Sequence, residues 1–227
     1  MLVVEESREI AAAVRFRSRA IRMVDSPAEL IDIFDPEVQV LVWRRKAARF
    51  AAYCSASPPA GSSFGTGFRK VFRAGESLGN ELSEAFSGRP TIAPDVLCLA
   101  ELYAVLLGCE AIGLRYEVVD GAMCPGFHVD RTGIRLLCTY RGPGTQWIDD
   151  CHADRSKLGP GSGGLPDHLS GLFGPGTQVQ EAAVGDVVLL KGSLWQGNAG
   201  RGAIHRSPAV DPDQAPRILV AMDAVWI

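Results

Sequence analysis

The sequence predicts an α+β protein, with a mostly helical N-terminal region packed on a C-terminal part that is mainly β. A stripe of apolar residues at helical spacing occupies residues 96–107. From residue 113 onward, short runs of β-branched and aromatic residues alternate with Gly- and Pro-rich turns. We therefore divide the 227 residues into an N-terminal region, 1–112, and a C-terminal β core, 113–227.

The N-terminal region contains two segments of helical pattern and one of strand pattern. A helix is predicted near Ala11–Arg22, and the apolar run Val38–Trp43 predicts a buried strand. Residues 55–63, rich in Ser and Pro, predict a loop. Residues 76–110 are predicted to be helical, with Asp95 capping a helix over Val96–Cys109.

The C-terminal region predicts a sandwich or a small barrel, because many short strands are punctuated by turns such as Gly142-Pro143-Gly144. The predicted strands are Leu114–Val119, Ile134–Tyr140, Gln146–Ile148, Gln178–Ala182, Val187–Lys191 and Ile218–Trp226. The segment Asp150–Pro175 has little regular pattern and predicts a surface insertion at about 150–176, which is either a substrate lid or disordered.

Composition excludes several classes of function. A net charge of −3 provides no electrostatic basis for binding nucleic acid. The sequence shows no signal peptide and no apolar run near the ~20 residues of a membrane-spanning helix. The six cysteines form no Cys-x-x-Cys pair and are interpreted as reduced thiols. We therefore expect a cytoplasmic protein.

His128-Val129-Asp130 and His205 form the pattern of a metal site. Residues i and i+2 of an extended chain share one face, so His128 and Asp130 would point the same way. Two imidazoles and one carboxylate suit non-haem iron(II) and leave coordination positions open. A tight turn and buried strand, Gly185–Gly192, precede His205, and Arg217 begins a strand and is expected to point inward. A Cys/His zinc site and incidental histidines are the alternatives.

The chain resembles the bacterial family called domain of unknown function 1826. The resemblance rests on His128-Val129-Asp130, on the run from Arg135 to Thr145, which reads RLLCTYRGPGT, and on His205-Arg206-Ser207-Pro208. More distantly, the pattern is similar to the iron(II)- and 2-oxoglutarate-dependent dioxygenases. That likeness implies a double-stranded β-helix of the jelly-roll or cupin-like type, with the N-terminal helices packed on it.

The second resemblance also implies roles for individual residues. His128, Asp130 and His205 would be the iron ligands and the catalytic centre. Arg217 would bind 2-oxoglutarate, with a second hydrogen bond from Tyr116. The Ser or Thr usual two residues after the arginine is Leu219 here, and Arg206 is a rival anion-binding group.

Substrate contacts are predicted around the same strands. The run Arg141–Thr145 is either a tight hairpin, which we favour, or a cradle for an anion. Residues expected to contact the substrate are Arg141, Thr145, Trp147, Trp195 and Asn198.

Two functions follow from the sequence. The first is an iron(II)/2-oxoglutarate-dependent oxygenase of the hydroxylase type, acting on a small-molecule or peptide substrate. The second is a non-catalytic protein that binds zinc or another divalent metal and serves metal homeostasis, because the same ligands bind zinc well.

Overall fold

A computed structural model describes residues 19–46, 65–75, 77–87, 92–211, 213 and 216–226. In this part of the chain strands dominate and helices are few, which confirms the predicted α+β class. The strands are β1 (Ile21–Val24), β2 (Val40–Trp43), β3 (Phe68–Arg73), β4 (Ala111–Val119), β5 (Ile134–Arg141), β6 (Gln146–Trp147), β7 (Gln180–Glu181), β8 (Val187–Lys191), β9 (His205–Arg206) and β10 (Arg217–Val225). The α-helices of the described residues are α1 (Leu78–Ala85) and α2 (Ala93–Leu107).

The described strands form two sheets. The larger has seven strands in the order β1-β2-β8-β5-β10-β4-β3, and the smaller has three in the order β7-β6-β9. All pairings are antiparallel except that of β1 with β2. The chain passes repeatedly between the sheets, so residues distant in sequence meet in the space between them.

Alternation along β10 divides the core into two clusters. Ile218, Val220 and Met222 pack in the larger cluster, which includes the buried side chains of α1 and α2. Leu219 and Ala221 face the opposite way, into a smaller cluster that includes Trp147 of the three-stranded sheet. The helices therefore cover one face of the large sheet, and the small sheet covers the other.

The N-terminal region differs from the mostly helical prediction, because it contributes β1, β2 and β3 to the large sheet. The predicted strand Val38–Trp43 is confirmed as β2, but the end of the predicted helix Ala11–Arg22 is strand from Ile21. Residues 11–18 and 55–63 lie outside the described residues. The expected boundary at 112/113 falls inside β4, since pairing with both β10 and β3 extends that strand back to Ala111.

Helix α2 begins earlier than the sequence predicts, and Asp95 is not its cap. The N-cap position is Ile92, without a side-chain hydrogen bond, and the helix ends at Gly108 in the left-handed conformation with φ 60°. The Asp95 carboxylate instead pairs with Arg45 at 2.8 Å and accepts a hydrogen bond from the Tyr140 hydroxyl at 2.6 Å. This buried network ties the segment after β2 to the helix.

Each of the six strands predicted after residue 113 coincides with an observed strand. The insertion consists of short 3₁₀ turns, at Asp150–His152, Arg155–Lys157 and Gly159–Ser162, closed by a bridge between Ala153 and Phe173. Among the described residues, no helix combines the length and apolar character needed to cross a bilayer.

Candidate metal centre

The two histidines of the site are held opposite each other by their own backbones. The amide of His128 donates to the carbonyl of His205 at 2.9 Å, and the amide of His205 returns the bond at 3.0 Å. This antiparallel pair places both imidazoles on one side, with ring centroids 4.5 Å apart. His205 belongs to β9, so the small sheet fixes the spacing of the two rings.

Asp130 completes a cluster in which one potential ligand atom from each residue lies within 4.8 Å of the others. Its two carboxylate oxygens lie 3.7 Å from Nε2 of His128 and 3.3 Å from Nε2 of His205. The Nδ1 atoms of both rings contact backbone carbonyls at 2.9 Å, those of Gly126 and Ala203. With its proton on Nδ1, each ring would satisfy this contact and could present the Nε2 lone pair to a metal ion.

Burial and charge set the protonation of this cluster. Burial, followed by the neighbouring His205, lowers the pKa of His128 below its ordinary value. Burial opposes ionisation of Asp130, but the hydrogen bond and charge of His205, with Arg135 and His128, hold the pKa of the carboxyl well below its usual range. The cluster thus combines a carboxylate that stays ionised with a His128 imidazole whose protonation is disfavoured, and a divalent metal binds ligands in these deprotonated states.

Arg135 connects the cluster to the large sheet. Its Nη1 donates to Asp130, while Nε and Nη2 donate to the two oxygens of Asp223 at 2.8 and 2.9 Å. Asp223 is also bound by Arg115 at 3.3 Å. Arg135 lies on β5 and Asp223 on β10, opposite each other in the register. The position of the Asp130 carboxylate therefore depends on two strands of the large sheet as well as on its own segment.

Arg217 lies in the same inter-sheet space and is 1% exposed. Its Nε donates to the carbonyl of Pro143 at 2.8 Å. The remaining contacts are long ones to hydroxyl groups, Ser207 at 3.3 Å, Thr139 at 3.2 Å and Thr145 at 3.3 Å. Among the described residues no carboxylate forms a salt bridge with it. Burial lowers the pKa of the guanidinium to about 10, and the charge of Glu181 only partly opposes this shift.

Glycines allow the chain to wrap around this arginine. A Cβ atom on Gly142, whose φ is 80°, would lie 3.2 Å from both Cα and Cβ of Arg217. A Cβ on Gly144 would lie 1.9 Å from the carbonyl oxygen of Ala182. The tight-hairpin interpretation of this run explains its composition, because the turn presents Pro143 and Thr145 to the guanidinium.

A cavity of about 90 Å³ connects the two groups of residues. All three metal-cluster residues line it, and so do Thr145 and Ser207, which contact Arg217. Its remaining walls combine apolar side chains, such as Leu137 and Leu219, with the charged Arg115 and Glu117. Arg217 itself does not line the cavity and reaches it through the hydroxyl groups of Thr145 and Ser207.

Tyr116 does not line this cavity, contrary to the prediction. It is 2% exposed within the larger core cluster, where its ring lies 5.4 Å from that of Phe86 on the helix-covered face. Its neighbours Arg115 and Glu117 point into the cavity instead. The prediction chose the wrong face of β4, because successive residues of a strand point to opposite faces of the sheet.

Arg206 lies beside the cavity but is already engaged. It donates to Gln146 at 2.8 Å, forms an ion pair with Asp167 at 3.1 Å and lies 4.4 Å from the centroid of the Phe127 ring. Since Arg206 has a carboxylate partner and Arg217 has none among the described residues, Arg217 is the better anion site of the two.

The predicted substrate contacts separate into one cavity residue and four that lie elsewhere. Thr145 lines the cavity. Trp147 is 1% exposed in the inter-sheet core, Trp195 stacks on Phe34 at 5.7 Å, and Asn198 closes a turn by donating to Gly192 at 2.8 Å. Arg141 ends β5 opposite Ile218, outside the cavity lining. Because these four lie outside the cavity lining, we assign them no substrate contact.

Sequence reasoning assigned no role to four residues around the cavity: Arg115, Arg135, Thr139 and Ser207. Alternation provides a signal for two of them, since Ser207 follows His205 by two residues and Thr139 follows Arg135 by four. The others become apparent only from the pairing of β4, β5 and β10.

The family model described as "Protein of unknown function (DUF1826)" matches residues 24–223. The chain belongs to this family. The match confirms the first resemblance drawn from the sequence and covers the metal cluster, Arg135 and Arg217 together. No curated protein sequence matches the chain.

Solved structures give a second comparison. A dioxygenase for auxin oxidation from rice is similar with a TM-score of 0.50 and 14% identity, over 90% of this chain and 83% of that one. At this identity the similarity concerns the fold alone. An Arabidopsis thaliana dioxygenase for auxin oxidation bound to 2-oxoglutarate has a TM-score of 0.45 at 10% identity, covering 91% and 93%. A Pseudomonas putida prolyl-4-hydroxylase has 0.39 at 12%, covering 88% and 98%.

Proposed function

We propose that the chain is an iron(II)- and 2-oxoglutarate-dependent oxygenase built on a double-stranded β-helix. The strand order supports this fold: β4, β5, β8 and β10 lie in the large sheet, while the His128 bridge, β6, β7 and β9 lie in or beside the small one. These eight segments follow one another along the chain as β4, the His128 bridge, β5, β6, β7, β8, β9 and β10, so the chain alternates between the two sheets except from β6 to β7. The similarity in fold to the rice dioxygenase agrees with this assignment.

The donor set fits iron(II). Two imidazoles and one carboxylate on one side leave the opposite positions open for a bidentate co-substrate and oxygen. Bound there, iron(II) would supply oxygen activation, with 2-oxoglutarate and O₂ converted to succinate and CO₂ as one oxygen atom enters a C–H bond of the substrate. The chain's share is to hold Nε2 of His128, Nε2 of His205 and the Asp130 carboxylate in place.

Arg217 is the observation that carries the proposal. A buried guanidinium whose contacts are neutral oxygens is costly, because desolvation of a charge is repaid only by a well-placed counter-ion. A carboxylate entering between Thr145 and Ser207 would supply that counter-ion and replace long hydroxyl contacts by charge-assisted bonds. The distal carboxylate of 2-oxoglutarate has this chemistry, and its other end would reach the metal cluster through the shared cavity.

The remaining residues of the cavity position groups and exclude water. Arg135 holds one oxygen of Asp130, which leaves the other free to bind a metal. Leu137, Leu219 and Ala221 form an apolar floor. The absence of a serine or threonine at Leu219 is compensated by Thr139, Thr145 and Ser207, which supply hydroxyl groups around the guanidinium.

Anaerobic addition of iron(II) and then 2-oxoglutarate to the purified chain tests the proposal. We expect a visible metal-to-ligand charge-transfer band that requires both additions, and release of succinate once oxygen enters. The His205→Ala variant should lose the band, whereas the His152→Ala variant should retain it because His152 lies outside the cluster. A chain that binds iron(II) with no spectral response to 2-oxoglutarate would contradict the proposal.

The zinc-binding alternative shares the ligands but gives no role to Arg217. A metal-storage or sensor site needs no buried anion-binding cation next to it. Zinc retained at one equivalent by protein from its native source, with a melting temperature unaffected by 2-oxoglutarate, would favour that alternative.

A further inference from the structure

A second and larger cavity, of about 680 Å³, adjoins the metal cluster. Cys124, His128 and Arg206 border both cavities, so the larger one opens directly beside a proposed metal ligand. Its far wall is formed by the insertion, from Lys157 to Phe173. This volume is within the range of small-molecule sites in proteins, roughly 300–1,000 Å³, and is much larger than a metal ion or its co-substrate requires.

Part of the wall of this larger cavity is apolar and aromatic. Phe127 and Phe173 meet edge to face with their ring centroids 5.8 Å apart, and Leu165 and Pro166 add aliphatic surface. The Arg206 guanidinium, which also lines the cavity, lies over the Phe127 ring at 4.4 Å from its centroid. A planar or aliphatic group of the size of a phenyl ring would replace water on this wall.

One cation of the larger cavity is not held in an ion pair. Arg206 is neutralised by Asp167, whose oxygens also accept the Phe127 amide at 3.2 and 3.1 Å. On the same side of the insertion, Arg155 is neutralised by Asp150 at 2.6 Å. Lys157 lines the cavity, is partly buried, and forms no salt bridge within the described part of the chain, although the exposed Asp154 carboxylate interacts with it electrostatically. Lys157 is therefore the cation of this cavity that is not held in an ion pair and can contact an anion.

We propose that the larger cavity binds the substrate of the metal site and that this substrate is a small organic anion. Its apolar body would lie against Phe127 and Phe173, and its carboxylate or comparable acidic group would contact Lys157. The inference rests on the proposed function, because only an enzyme has a substrate. The preference of the cavity for organic anions, however, does not depend on iron or oxygen chemistry. Recognition by one partly exposed cation and an apolar wall gives moderate affinity with a clear preference for negative charge.

Ligand-observed NMR titration with a matched pair of probes tests this assignment. The probes are 3-phenylpropanoate and 3-phenylpropanamide, which share shape and differ in charge. The 227-residue chain is first dialysed against EDTA, so that a carboxylate cannot bind simply as a metal ligand. We expect the anion to bind roughly five to ten times more tightly than the amide, and the Lys157→Ala variant to lose most of that preference.

The Lys46→Ala variant is the matched control, because Lys46 is exposed and lines neither cavity. It should bind both probes as the unsubstituted chain does. Equal binding of the two probes, or a preference for the anion that survives in Lys157→Ala, overturns the inference. A preference that disappears in Arg217→Gln but persists in Lys157→Ala also overturns it, because the probe would then occupy the smaller cavity.

These outcomes are separable from failure of the proposed function. The spectral test with iron(II) and 2-oxoglutarate depends on the metal cluster and Arg217, whereas the probe titration depends on Lys157 in metal-free protein. Thermal unfolding of each variant, expected to match the unsubstituted chain, confirms that lost binding reflects the lost ammonium group and not lost structure.

Discussion

Two charged groups on either side of the small cavity are buried in opposite ways. The metal cluster forms the metal end, and Arg217, behind Thr145 and Ser207, forms the arginine end. At the metal end, the Asp130 carboxylate contacts Arg135 and two imidazoles, and Arg135 is itself paired with Asp223. At the other end, Arg217 contacts one carbonyl and three hydroxyl groups, and no carboxylate of the described residues forms a salt bridge with it, although the charge of Glu181 acts on it. The first end is nearly balanced in charge without a ligand, whereas the second would be balanced more fully by a bound anion.

This difference indicates where binding energy is available. A metal arriving at Asp130 would share the carboxylate with Arg135, which already offsets its charge, so metal binding adds little charge balance at this end. An anion arriving at Arg217 neutralises a cation whose pKa burial has lowered to about 10, so that end gains electrostatic stabilisation directly. We therefore expect substitutions at the two ends to affect different ligands.

The largest effect is expected from Asp130→Asn. The amide keeps the shape but removes the negative charge and one anionic ligand atom, so metal affinity should fall by more than about 100-fold, beyond the effect of losing an outer contact. Calorimetric titration with iron(II) or zinc measures this directly. His168→Ala, a histidine outside the metal cluster, should leave the affinity unchanged, and equal losses in both variants would refute the assigned ligands.

Arg217→Gln should weaken 2-oxoglutarate binding by about 100-fold while leaving metal affinity within about twofold, because a buried charge partner is lost at one end only. The growth of the charge-transfer band with increasing 2-oxoglutarate measures the co-substrate affinity. Metal titration without co-substrate measures the metal affinity. A loss of metal affinity as large as the loss of co-substrate affinity would mean that the two ends are not separate.

Arg135→Gln examines the balance at the metal end. Without the guanidinium, the Asp130 carboxylate loses a positioning contact, and metal affinity should fall by about tenfold. Because Arg135 acts through Asp130, Arg135→Lys should recover part of the affinity. Tighter metal binding in Arg135→Gln would instead show that Arg135 acts mainly as a competitor for the carboxylate.

The sequence predicted the metal end better than the arginine end, and the reason is physical. Spacing of i and i+2 places His128 and Asp130 on one face of any extended segment, without knowledge of the partner strand. Tyr116 required knowing which face of β4 turns inward, and that depends on its register with β10. The hydroxyl groups around Arg217 come from β5, from the turn after it and from Ser207, which no local pattern connects.

The same limit explains the elements that the sequence misassigned. β1 and β3 are edge strands whose charged residues, such as Arg69 and Lys70, resemble a surface helix or loop until pairing with β4 or β2 is known. The central strands β8 and β10 were predicted from their own apolar runs, because both of their faces are buried.

The smallest effect on the site is expected from a substitution of Lys191. This residue is a suitable reference for Arg217, because it is a second buried cation that donates to a neutral acceptor. It is 1% exposed, donates to the carbonyl of Asp35 at 2.8 Å and lines neither cavity. Lys191→Met should therefore change 2-oxoglutarate affinity by less than about twofold. Burial, followed by the charge of Arg201, lowers the pKa of Lys191 to about 8 from its ordinary 10.5.

That shift gives Lys191 a signature of its own. As pH rises from about 8 to 10.5, the folded chain releases this proton before the unfolded chain does, so the unfolded state binds more protons and the free energy of unfolding rises. Urea unfolding from pH 7 to 10 should show this rise in the unsubstituted chain and a flatter profile in Lys191→Met. A difference between the two that is constant with pH would show that the lysine is not desolvated as described. An unchanged co-substrate affinity together with an altered pH profile would show that burial of a cation alone does not make a binding site. Arg217 would then differ from Lys191 through its hydroxyl partners Thr145 and Ser207, which line the cavity beside the metal cluster.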